Sequence, residues 1–79
     1  MEKCIITVVG KDQVGIIAKV CAYLADHSVN ILDISQTILQ GYFNMMMIVD
    51  ASNASSPFAT LVEELDALGQ EIGVTIKLQ

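Results

Sequence analysis

The sequence predicts an α+β domain in the order strand, helix, strand, strand, helix, strand. Two segments, from residue 16 to about 27 and from 57 to 72, repeat their apolar residues with the period of a helix. The other apolar segments, 3–9, 30–51 and 74–79, are short and rich in β-formers, and the last alternates strictly. With 79 residues there is length for one domain, and residues 1–79 are expected to form it.

Each element has its own justification. "KCIITVV", residues 3–9, is apolar on both parities, as a central strand covered on both faces is. After the loop "GKDQVG", Ile16, Ile17, Val20, Cys21 and Leu24 form a helical stripe, with Lys19, Tyr23, Asp26 and His27 on the opposite side. "NILDISQTILQGYFNMMMIVDA" divides at "QGY" into two antiparallel strands, 30–39 and 42–51, joined by a tight turn around Gly41. In the first of these, Leu32, Ile34, Gln36 and Ile38 share one parity, and Asp33, Ser35 and Thr37 the other. In the second, Phe43, Met45, Met47 and Val49 point one way and Met46 and Ile48 the other, so one face rests on helices and the other needs a cover.

"SNASSPF" reads as a loop that starts a helix, with Ser56 as N-cap and Pro57 in the first turn. Phe58, Leu61, Val62, Leu65, Leu68 and Ile72 make its buried stripe, and Glu63, Glu64, Asp66 and Glu71 face outward. Gly69 weakens this helix by up to about 1 kcal/mol relative to alanine, and Gly73 ends it. "VTIKLQ" is then a strand with Val74, Ile76 and Leu78 inward. The order is a split βαβ, ferredoxin-like, with a four-stranded antiparallel sheet and two helices on one face.

Composition narrows the function. Charged residues make up 16 % of the chain and hydrophobic ones 53 %, against about 25 % charged in an ordinary domain, which predicts an oligomer. The net charge is −5, there is no arginine, and the four lysines are scattered, so nucleic acid is not an expected partner. Cys4 and Cys21 form no CxxC and one histidine completes no zinc site with them, so we expect buried thiols, no metal and no cofactor. No secretory signal and no apolar run of about 18 residues is present, which predicts a cytoplasmic protein without a membrane partner.

The fold hosts unrelated functions, and residue chemistry removes several. A phosphate-handling enzyme of this fold needs an arginine, an RNA reader needs same-face aromatics, and a heavy-metal chaperone needs CxxC in the first loop. Gly10 and Gly15 have the spacing of a phosphate loop, but Ile16 and Ile17 stand where its lysine and hydroxyl belong. Cys21 and His27 make no nucleophile–base pair, and adjacent methionines among Met45–Met47 alternate faces, so neither catalysis nor soft-metal binding is expected.

The segment "VVGKDQVGIIAKVCAYLADHSVNILDISQT" resembles the ACT domain, a small ligand-binding regulatory module. An acidic residue shortly before a glycine that opens the first helix, then "NI" at the start of the second strand, carries the resemblance, which spans essentially the whole chain. It is closest in pattern to stand-alone ACT proteins and to the repeats of glycine-cleavage-system regulators. Val14 stands where many family members have proline.

The resemblance implies a homodimer in which the first loop of one domain faces strand two of its neighbour and a small effector, such as an amino acid, binds between them. The residues carried over are Asp12, Gln13, Val14, Gly15, Ile16, Asn30 and Ile31. The alternative is a ligand-free module that docks on a protein partner, an enzyme or regulator of metabolism. Physical chemistry supports a site here: N–H groups at a helix start suit a carboxylate, Asp12 suits an ammonium, and the Asn30 amide suits either. Structural roles compete with these, since Asp12 can be a helix cap, Gly15 a tight turn and Asn30 a turn end. His27, near a helix end, reads as structural.

Overall fold

Alternation along residues 43–49 decides which face of the sheet is covered. The computed structural model describes residues 2–79, with strands β1 (Lys3–Lys11), β2 (Asn30–Leu39), β3 (Tyr42–Asp50) and β4 (Val74–Leu78) and helices α1 (Ile16–Asp26) and α2 (Phe58–Ile72). The strands form one antiparallel sheet in the order β2-β3-β1-β4. Phe43, Met45, Met47 and Val49 are buried with Cys4, Ile6 and Val8 of β1 and Val74 and Ile76 of β4. The helices close over them with Ile16, Val20 and Leu24 from α1 and Leu61, Leu65 and Ile72 from α2.

The opposite face of the sheet has no helix. Ile5 pairs with Ile48 and Thr7 with Met46 there, and Ile5, Val9 and Met46 remain 37 %, 47 % and 49 % exposed. β1 is central in the hydrogen-bonding order, but it is covered on one face, not on both as its composition predicts. The strand also runs to Lys11, because its neighbour β3 reaches Tyr42.

Gln40 and Gly41, at φ 50° and 82°, make a two-residue turn between Leu39 and Tyr42, the type I′ connection that matches strand twist. At the other end of β2 the expected parity fails. Ile31 pairs with Val49 and Asp33 with Ile48, so Leu32 is an extra residue in a β-bulge. Ile31, Ile34, Gln36 and Ile38 therefore share the helix side with Val49, Met47, Met45 and Phe43.

Helix α2 starts one residue later than expected. Proline fixes φ but leaves ψ free, and at ψ 155° Pro57 is still extended; Pro57, not Ser56, is the N-cap, with no side-chain cap bond. Its carbonyl accepts the first bond, from the Leu61 N–H at 3.1 Å. Gly73, at φ 81°, ends the helix in the left-handed conformation. Gly69 has a packing reason: a Cβ there would lie 2.7 Å from the Val74 carbonyl oxygen and 3.2 Å from the Ile76 nitrogen. Its absence lets α2 press onto the backbone of β4.

Tyr23 and His27 also depart from expectation, since they turn toward α2 and not toward water. The Tyr23 hydroxyl donates to Glu64 Oε1 at 2.7 Å, His27 Nε2 lies 3.2 Å from the same oxygen, and the two rings stack with centroids 4.0 Å apart. Burial, then the bond to the Glu64 carboxylate, pushes the Tyr23 phenol above the ordinary tyrosine range. Cys4, buried on β1, and Cys21, half-buried on α1, are free thiols, and burial raises the Cys4 thiol. No described helix is long and apolar enough to cross a membrane.

Candidate functional site at the start of helix α1

The first loop is held from two sides. The Asp12 N–H donates to the Gly41 carbonyl at 2.8 Å, which fastens the loop to the β2–β3 turn. The Gln13 side-chain amide donates to the Ile72 carbonyl, one of the oxygens that α2 leaves unpaired at its end. Between these fastenings Gly15 takes φ 92° and becomes the N-cap of α1. An L side chain is strained in that conformation, which explains the glycine physically.

Asp12 does not cap the helix. No side chain bonds to the start of α1, and the first amide to bond back is that of Lys19, to the Gly15 carbonyl at 3.0 Å. The N–H groups of Ile16, Ile17 and Ala18 thus keep their hydrogen-bonding capacity, at the positive end of the helix dipole.

These groups border a cavity of about 240 Å³. Asp12, Gln13, Gly15 and Ile16 line one side; Gln36, Ile38 and Phe43, from β2 and β3 of the same chain, line the other. Val14 is at the loop tip, fully exposed and outside the cavity. Asn30 and Ile31 are not brought to it. β2 begins opposite Asp50 and ends opposite Tyr42, so Asn30 lies at one end of the sheet and the Asp12 loop at the other. Asn30 also shares its register position with Asp50, on the face away from the helices, while Ile31 shares Val49's side. Within one chain the seven residues expected at the site form two groups a strand's length apart.

Gln36 and Ile38 were absent from the expected set. The parity of β2 already placed them beside Ile34, but nothing in a one-dimensional pattern relates the end of that strand to a loop more than twenty residues earlier. Among the described residues, no group of three or more His, Cys, Asp or Glu side chains is placed to hold a metal ion.

A four-stranded antiparallel sheet carrying two helices on one face, with a glycine-opened helix beside the free edge strand, defines a ferredoxin-like α+β domain. The family model described as "ACT domain" matches residues 2–79, and the chain belongs to the ACT domain family. A UPF0237 protein of Bifidobacterium longum is 63 % identical over all of this chain and 88 % of its own length. An ACT domain protein from Streptococcus pneumoniae of known structure is 48 % identical, with a TM-score of 0.86 over 98 % of this chain and 86 % of that one. The structure of a candidate glycine cleavage system transcriptional repressor is 27 % identical, with a TM-score of 0.80 over 99 % of this chain and 44 % of that one.

Proposed function

We propose that this chain is a regulatory module of the cytoplasm, without catalysis of its own, that binds a small effector, an amino acid, between two copies of itself. The observation that carries the proposal is the open edge of the sheet. β2 is an edge strand, every residue of it except Ile31 is exposed, and its helix-side residues Ile34 and Ile38 are 43 % and 52 % exposed. A long, apolar, unprotected edge is a template for strand pairing.

Two copies related by a twofold axis normal to the sheet pair β2 with β2 in antiparallel fashion. That pairing sets the start of one β2 beside the end of the other. It brings Asn30 and Ile31 of the second copy toward the Asp12–Ile16 loop of the first, twice per dimer. The α1 amides then receive the effector's carboxylate and Asp12 its ammonium, and of the second copy's pair it is Ile31 that lies on the helix side of the sheet. Residues 1–79 act in this reading as one ACT domain, and similarity to a candidate transcriptional repressor supports a regulatory role.

Light scattering on the eluting protein at micromolar concentration is expected to give twice the chain mass; a strictly monomeric result removes the site together with the dimer. A thermal-shift screen of L-amino acids is expected to find a stabilising ligand whose effect disappears in Asp12→Ala. A ligand-free protein-docking module is the second reading, favoured by the helix-free face of the sheet, where Ile5, Val9 and Met46 remain exposed together. An intact dimer that responds to none of the amino acids supports that reading instead.

A further inference from the structure

The face of the sheet turned away from the helices has an apolar middle. Ile5 pairs with Ile48 and Thr7 with Met46, and Val9 follows along β1. Leu39 and Tyr42, paired beside the hairpin turn, extend the patch. Ile5, Val9, Leu39, Tyr42 and Met46 are all exposed, and a single chain seldom leaves so continuous an apolar surface to water. Charge is divided unequally between this face and the rest of the molecule. The paired positions on it hold Lys3, Lys11 and Lys77 against Asp33 and Asp50. The other seven acids, four of them on α2 (Glu63, Glu64, Asp66 and Glu71), lie outside these positions with only Lys19 to offset them. The net charge of −5 therefore belongs to the helices, loops and chain start, while the face itself is nearly neutral.

We propose that this face is covered by the same face of a second copy, so that chains stack sheet on sheet. Two copies of like net charge repel wherever their helix layers meet. Stacking through the nearly neutral face sets those layers on opposite outer sides. Stacked sheets are about 10 Å apart, and a helix layer beyond each carries the acids several times farther than the screening length of about 8 Å. A head-to-tail contact, face on helices, would gain from charge but sets Ile5, Val9 and Met46 against carboxylates, and it does not close. Like on like buries apolar groups against apolar groups. The area is in keeping: four strands about 4.8 Å apart, the longer ones some nine residues at about 3.3 Å each, present on the order of 500 Å² per copy. One stacked pair buries about 1,000 Å², the least a specific contact needs. Pairing β2 with β2 about an axis normal to the sheet keeps both copies' helices on one side, so their helix-free faces run together; two such pairs bury about 2,000 Å². That doubling rests on the β2 pairing of the preceding subsection, whereas the stacking face does not.

Sedimentation equilibrium of wild type, Met46→Lys, Ile34→Lys and the double variant, from about 5 µM to about 1 mM, tests the proposal. Met46 and Ile34 are both exposed in the single chain, so neither lysine enters the core, and urea unfolding of each variant checks that it is folded. Wild type is expected to pass from two chains to four as concentration rises, and Met46→Lys to stop at two. Ile34→Lys should begin at one chain and pair only near the top of the range, and the double variant should stay at one. Added salt should move the wild-type step to lower concentration, because it screens repulsion between like-charged copies. A wild type that stays at two chains throughout, or a Met46→Lys that still reaches four, overturns the stacking face and leaves the β2 edge standing. A step that salt weakens points to the head-to-tail contact and overturns it as well. A wild type that is monomeric when dilute and pairs when concentrated, with pairing lost in Met46→Lys and kept in Ile34→Lys, upholds the stacking face and removes the β2 pairing instead.

Discussion

The two edges of the sheet are built in opposite ways. At β4 the edge is shut: α2 lies so close that Gly69 has no room for a Cβ, and Val74 and Ile76 are 7 % and 3 % exposed. At β2 the strand is as long as any in the sheet, yet neither helix covers it, and Leu32, Ile34, Ile38 and Leu39 are all at least 40 % exposed. A small domain has too few helices to cover a four-stranded sheet completely. The contrast teaches that packing here is concentrated toward β4, and that the edge left open is β2.

Mutations separate the two sides. Met45→Ala, in the fully buried layer, is expected to destabilise by about 2–5 kcal/mol, measured by urea unfolding. Gly69→Ala follows, since the clash with the Val74 carbonyl outweighs the better helix propensity; a net loss of about 1–2 kcal/mol is expected. Equal stability would mean that α2 can lift from β4, and the closed edge would be less closed than its spacing suggests.

Gln13→Ala removes the bond to the Ile72 carbonyl at an exposed position, and a loss of about 0.5–1 kcal/mol is expected. If Gln13 served only a ligand, apo stability would not change. Tyr23→Phe should cost a similar amount near neutrality, with a pH signature. The Tyr23 pKa is raised by folding, so its contribution is complete below the unfolded tyrosine value of about 10 and is lost as pH rises beyond it. Wild type should therefore lose more stability than Tyr23→Phe between pH 9 and pH 11 by chemical denaturation.

The smallest change in unfolding is expected at β2. Ile34→Lys should alter the stability of the dilute chain by less than about 0.5 kcal/mol while halving the mass seen by light scattering. A large loss of monomer stability without a change in mass would invert the comparison between the edges.

Element order was readable because each segment carries its own signal. The stripes of α1 and α2, the positive-φ glycines at 41 and 73, and the alternation in β3 are local properties. What escaped was set by neighbours in space. Leu32 becomes a bulge only because Ile31 and Asp33 both pair with β3, Gly69 looks like a weak helix residue until β4 lies against it, and Gln13 looks free until the end of α2 arrives beside it. The site divided the same way. Its loop half, Asp12 to Ile16, came with the resemblance to the ACT domain, whereas Gln36 and Ile38 enter through the return of β2 along β3, which no linear motif records.

The bond from the Asp12 N–H to the Gly41 carbonyl supplies a gauge. An amide in an exposed loop ordinarily exchanges its hydrogen with water quickly, but this one is shielded only while the loop and the hairpin turn stay joined. It therefore records, in exchange time, how firmly the loop before α1 is fastened. An occupant that tightens the loop slows the clock at Asp12, and one that pries it from the turn speeds it, so a single backbone hydrogen reports both the presence of a guest and the direction in which it pulls.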